Sequence, residues 1–187
     1  PLHLNDIQKL DENQIKLINT KIPLTSENIL ILSFRSLDMI IFYDLDNEII
    51  NHIIVDLFSK QHSPRLHKDG FLYVFDNNTG ANSKVAKIDI ENNTIVGTFE
   101  TKNFISPIRG RLQFLKNDLF VQSSTQGEIF KIVCEKDFFD NCKAKYLYSS
   151  NFDFFYPTNS YDKNFSFKKD GIYIGDFYEK EKINFID

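Results

Sequence analysis

The chain repeats itself, and the repeat limits its fold more than any other feature. Four segments pair a turn dipeptide with a short apolar and aromatic run: Glu27-Asn28 before Ile29 to Phe34, Asp69-Gly70 before Phe71 to Asp76, Asn117-Asp118 before Leu119 to Ser123, and Asp170-Gly171 before Ile172 to Asp176. Asp, Asn and Gly tolerate the positive φ of tight hairpin turns. Measured at Asn28, Gly70, Asp118 and Gly171, the spacings are 42, 48 and 53 residues. A second strand follows each, at Met39 to Leu45, Lys84 to Ile90, Glu128 to Val133 and Lys182 to Ile186. Third strands leave the next turns, at Glu48 to Val55, Thr94 to Glu100 and Lys143 to Tyr148. Units of three or four antiparallel strands at this period predict an all-β chain of β-propeller blades.

About four blades are expected, roughly 1–58, 59–104, 105–155 and 156–187, in a single propeller domain or a stretch of one. Four blades crowd a central axis, so the expectation is part of a larger propeller of the six-bladed type. The 19 Phe and 8 Tyr suit pleated, half-buried surfaces. Asp6 to Ile18 is the competing helical stretch, but Ile7, Leu10, Ile15, Leu17 and Ile18 share no clean face.

Charge and hydropathy exclude some partners. With 22 Lys+Arg against 26 Asp+Glu, the net charge is −4 and no basic block is present. That argues against nucleic acid as a partner. Apolar runs such as Ile29 to Leu32 fall far short of the roughly 20 residues of a transmembrane helix. The start of the sequence lacks a charged stretch leading into an apolar one, so no signal peptide is read there. Cys134 and Cys142 stand eight positions apart, close enough for a hairpin disulfide or two free thiols, and this is not a metal spacing.

The chemistry-bearing residues gather at the starts of the repeats. Of the four histidines, His52 reads as a surface strand residue and His67 as a solvated one before a turn. His3 and His62 each precede the innermost strand of a blade, a position facing the mouth of an axial channel. The four arginines, Arg35, Arg65, Arg109 and Arg111, all lie at blade starts or strand ends. A guanidinium fork there either grips an oxyanion or ties neighbouring blades to Asp carboxylates.

The order His3-Leu4-Asn5, Ser33-Phe34-Arg35, Gln61-His62 and Ser106-Pro107-Ile108 resembles the bacterial arylsulfate sulfotransferases, over His3 to about Ile132. The resemblance implies a propeller enzyme of the periplasm or cell surface. Such an enzyme moves a sulfuryl group from an aryl sulfate to a phenol, with no cofactor and no nucleotide donor. It implies His62 as the nucleophile that becomes sulfated. His3, Asn5 and Arg35 would hold the sulfuryl oxygens, with His3 also exchanging protons with the phenols. Arg109 and Arg111 would add cations to the same pocket. Two positions depart from the family pattern: Ser63 stands where Asp is common, and Arg109 where active members carry Thr. An Asp after the histidine would orient its imidazole. Two further functions are carried beside transfer: a propeller that binds an anionic or aromatic ligand without turnover, and a scaffold whose loops bind a protein.

Overall fold

The computed structural model describes residues 3–78, 81–102, 104–136, 139 and 141–149. The fourth repeat, 156–187, lies outside the described residues.

Twelve strands and one short helix make up the described chain. Leu4–Lys9 (β1), Ile29–Phe34 (β2), Met39–Asp44 (β3) and Ile49–Val55 (β4) form the first sheet. His62–Leu66 (β5), Leu72–Asp76 (β6), Lys84–Asp89 (β7) and Thr94–Phe99 (β8) form the second. Arg111–Leu115 (β9), Asp118–Ser123 (β10), Glu128–Cys134 (β11) and Cys142–Ser149 (β12) form the third. Each sheet is an antiparallel meander in chain order, a propeller-like blade. The first strands, β1, β5 and β9, pack beside one another in sequence.

Turn chemistry explains the meanders. Asp44 ends β3 and its carboxylate accepts from the backbone N–H of Asp46 (2.8 Å) and Asn47 (3.1 Å). Asp89 repeats the device after β7, accepting from Glu91 N–H at 3.1 Å. Such Asx turns reverse the chain without a long loop. Burial pushes the Asp44 carboxyl up, but hydrogen bonds from Thr25, Asn47 and Ser26 outweigh it and leave it well below the carboxylate range.

Two cores separate the three sheets. Ile29, Ile31, Ile40, Phe42, Ile54, Leu72, Val74, Ala86 and Ile88 form the first. Tyr73, Phe75, Val85, Phe99, Phe104, Leu112, Leu119, Val121 and Phe130 form the second. Strand β6 is buried at every position, with Leu72 and Val74 facing one core and Tyr73 and Phe75 the other. A strand covered on both faces reads as a continuous apolar run.

The stretch from Asp6 to Ile18 is two elements, which is why its apolar residues shared no face. Its first part belongs to β1. The helix (α1) spans only Glu12–Ile18 and buries Ile15 and Ile18. Asp11 and Gln14 form a capping box at its start. Seven residues are too few to hold a helix alone, so docking sustains it. Burying Ile18 contributes about 2–3 kcal/mol.

Cys134 and Cys142 are joined by a disulfide and pair directly across β11 and β12.

Candidate functional site

The inner strands bring the motif residues together. A cleft of about 650 Å³ is lined by His3, Asn5, Asp6, Ile7, His62, Arg65, Arg109, Gly110, Arg111 and Ser124. Residues from the start of all three sheets therefore line one cleft. Five of the sequence-predicted residues, His3, Asn5, His62, Arg109 and Arg111, line it. Arg35 does not. It opens a 3-10 turn over Arg35–Leu37, and its N–H donates to the His3 carbonyl at 2.9 Å. Its charge nevertheless reaches His62.

His62 sits at a break in strand pairing. The register of β5 on β6 shifts between His62 and Arg65, and Ser63 adopts a φ of 51°. A bulge of this kind re-aims the side chain beside it. The His62 Nδ1 lies 3.0 Å from the Lys60 carbonyl and 2.6 Å from Asn77 Oδ1. Its Nε2 has no hydrogen-bond partner among the described residues. Burial pushes the His62 pKa below the ordinary histidine value of 6.5, and the Arg35 charge adds to this. The bonds to Asn77 and Lys60 and the Asp6 charge oppose it without reversing it. The imidazole is neutral at pH 7.

Other motif residues are frame rather than site. Gln61 is fully buried, and its Nε2 donates to Ser33 Oγ (3.1 Å), the Met39 carbonyl (3.0 Å) and the Phe34 carbonyl (3.3 Å). The paired motifs around Ser33 and Gln61 thus bolt the second sheet to the first. Asn5 joins them, its Nδ2 donating to the Gln61 carbonyl at 2.7 Å. Ser106 Oγ donates to the Arg109 carbonyl at 3.2 Å and so shapes the loop into β9.

Ser63 does not face the imidazole. Its hydroxyl accepts from Leu112 N–H at 2.9 Å and is buried between β5 and β9. The residue after His62 therefore ties two sheets together, and orientation of the ring comes from Asn77, which the motifs did not reveal. Only a signal for spatial neighbours would have found it, because Asn77 is 15 positions away at the end of β6.

The arginines take different places in the structure. Arg65 makes a two-pronged ion pair with Asp6, at 3.1 and 3.2 Å, joining β5 to β1. Arg109 and Arg111 lie on the cleft, flanking Gly110. Gly110 has a φ of 144°, and a Cβ there would stand 2.5 Å from the Phe75 ring. Glycine is required for that close approach.

His67 departs from the expectation of a solvated residue. It is 7% exposed, stacks on Phe114 at 4.2 Å, and its Nδ1 is 3.1 Å from the Asp69 carboxylate. His52 is half-buried and bonds Asn93 Oδ1 at 2.9 Å, from one sheet to the next.

Among the described residues no group of three His, Cys, Asp or Glu is placed to hold a metal ion. No helix among them is long and apolar enough to cross a membrane.

With the cleft built from His3, Asn5 and His62, its sequence signature can be placed. The model of the Arylsulfotransferase (ASST) family matches residues 1–137. The chain belongs to the arylsulfotransferase family. The match covers all three sheets up to the end of β11, and with them every residue of the cleft. Membership of the arylsulfotransferases points to aryl compounds as the substrate class. No curated protein matches the chain.

Proposed function

We propose that the cleft transfers a sulfuryl group from an aryl sulfate to a phenol through a sulfated His62. The observation that carries this reading is a neutral, half-buried imidazole on the wall of a cleft that also presents His3, Arg109 and Arg111. A neutral imidazole is a competent nucleophile, whereas a protonated one is not.

In the first half-reaction His62 Nε2 attacks sulfur, and the bond from sulfur to the phenolic oxygen breaks. The phenolate leaves with the electron pair and takes a proton from His3. In the second, an incoming phenol gives its proton to His3, and its oxygen attacks the sulfuryl group. His62 is released neutral. The reaction is balanced without water, metal or nucleotide. Cationic side chains around the cleft oppose the charge that spreads over the sulfuryl oxygens. The disulfide in the third sheet fits an oxidising compartment, which supports a periplasmic or extracellular location.

Incubation with 4-nitrophenyl sulfate and intact mass spectrometry test the proposal. The expected result is a sulfuryl adduct and released nitrophenol, both lost in His62→Asn. A folded wild-type protein with neither would overturn it. Saturable binding of the same compound without an adduct would favour the ligand-binding propeller, for which the Arg109 and Arg111 pair on the cleft is the supporting observation.

A further inference from the structure

Building on that reading, we propose that Asn77 is the positioning residue of this site. It holds His62 as the tautomer with hydrogen on Nδ1, and it ties the ring to the loop that carries Arg109.

A neutral imidazole has one N–H and one lone pair, and its neighbours decide which nitrogen holds which. Here Nδ1 faces two oxygens, the Lys60 carbonyl at 3.0 Å and Asn77 Oδ1 at 2.6 Å. A lone pair at Nδ1 would oppose both, so Nδ1 holds the hydrogen and Nε2 keeps the lone pair.

The orientation of the Asn77 amide is decided in the same way. Its Nδ2 donates to the Arg109 carbonyl at 2.7 Å and also to the Ser106 carbonyl. The reversed amide would set an oxygen against those two carbonyls. Three backbone carbonyls, those of Lys60, Ser106 and Arg109, therefore select one arrangement of Asn77 and His62. Asn77 is 1% exposed, and Ser83 Oγ donates to its backbone carbonyl at 3.1 Å. Little freedom remains for the ring to turn.

The arrangement serves the attack. As the bond from Nε2 to sulfur forms and the bond from sulfur to the phenolic oxygen breaks, the ring becomes cationic. Nδ1 keeps its hydrogen and becomes a stronger donor to Asn77 and Lys60. No proton has to leave His62. Because the same amide holds the Ser106 to Arg109 turn, the nucleophile and the Arg109 loop move as one unit. The charges facing His62 are Arg35 and Asp6, the latter engaged by Arg65, and Arg109 and Arg111 line the same cleft.

The first measurement uses the full chain and requires no turnover. Long-range proton–nitrogen spectra of 15N-histidine protein, with His62→Asn identifying the signal, report the tautomer. Hydrogen on Nδ1 supports the proposal, and hydrogen on Nε2 overturns it. The second compares single-turnover sulfation by 4-nitrophenyl sulfate in wild type and Asn77→Ala. A misplaced nucleophile costs about 100-fold, expected at saturating substrate with KM little changed. A folded Asn77→Ala that is sulfated at the wild-type rate overturns the proposal. Should Asn77→Ala fail to fold, the wild-type tautomer decides. A wild type that forms no adduct defeats the transfer reading, and the tautomer compared between wild type and Asn77→Ala still tests the role of Asn77.

Discussion

His62 illustrates how burial and two acceptors set the state of one side chain. Its pKa lies below 6.5 because desolvation of the charged ring outweighs the bonds at Nδ1. In the proposed reaction the neutral form attacks, so the nucleophile is lost as pH falls through this depressed value. The acid limb of kcat/KM for an aryl sulfate is therefore expected below pH 6.5, and an acid limb above it would contradict the assignment. Stability follows the same sign. Below pH 6.5 the unfolded chain takes up the proton first, so His62 lowers stability progressively until its folded value is passed. Gly110 is the second residue under tight constraint. Gly110→Ala puts a methyl group 2.5 Å from the Phe75 ring, at a φ of 144°. A loss of about 2–4 kcal/mol in urea denaturation is expected, from overpacking plus backbone strain.

Strand β5 does most to build the site at the scale of elements. One strand presents His62 to the cleft, buries Ser63 against β9, and sends Arg65 to β1. The bulge at Ser63 allows these three directions within four residues. Ser63→Ala leaves the buried Leu112 N–H without its acceptor and should cost about 1–3 kcal/mol. Because Ser63 does not touch the imidazole, the His62 tautomer should be unchanged in the same variant. A changed tautomer would return an orienting role to position 63. In the third sheet the disulfide closes a short loop between β11 and β12. Chain-entropy arguments give it about 2.5 kcal/mol for a separation of eight residues. Reduction should lower the thermal midpoint, an effect read directly by calorimetry with and without reductant.

For the molecule as a whole, the inner strands are joined by polar contacts while the sheet faces are joined by apolar ones. Asp6 with Arg65, Asn5 and Ser33 with Gln61, and Ser63 with Leu112 form a run of links from the first sheet to the third beside the cleft. Behind it, the two cores hold the sheets face to face. Links that line a site serve both stability and function. A double-mutant cycle with Asp6→Leu and Arg65→Leu should show coupling of about 1 kcal/mol or more, since the pair is largely shielded from water. Additive single effects would mean that this ion pair adds nothing to the association of the first two sheets.

The sequence by itself determined the repeat, the strands after the first three turn pairs, and the grouping of His3, Asn5, His62, Arg109 and Arg111. Turn chemistry and alternation are local, so strands such as Ile29–Phe34 are legible from a few neighbouring residues. The family motif was legible for the same reason, as short runs of adjacent residues. Tertiary structure alone decided which of these residues line the cleft and which are frame. Gln61 and Ser63 stand beside His62 in the chain, but their side chains point to other sheets. Asn77 meets His62 only because β5 and β6 pair across a shifted register. The helical pattern at Asp6 to Ile18 failed because a strand and a helix share it. Side-chain direction depends on packing between sheets, and no local run of residues encodes that.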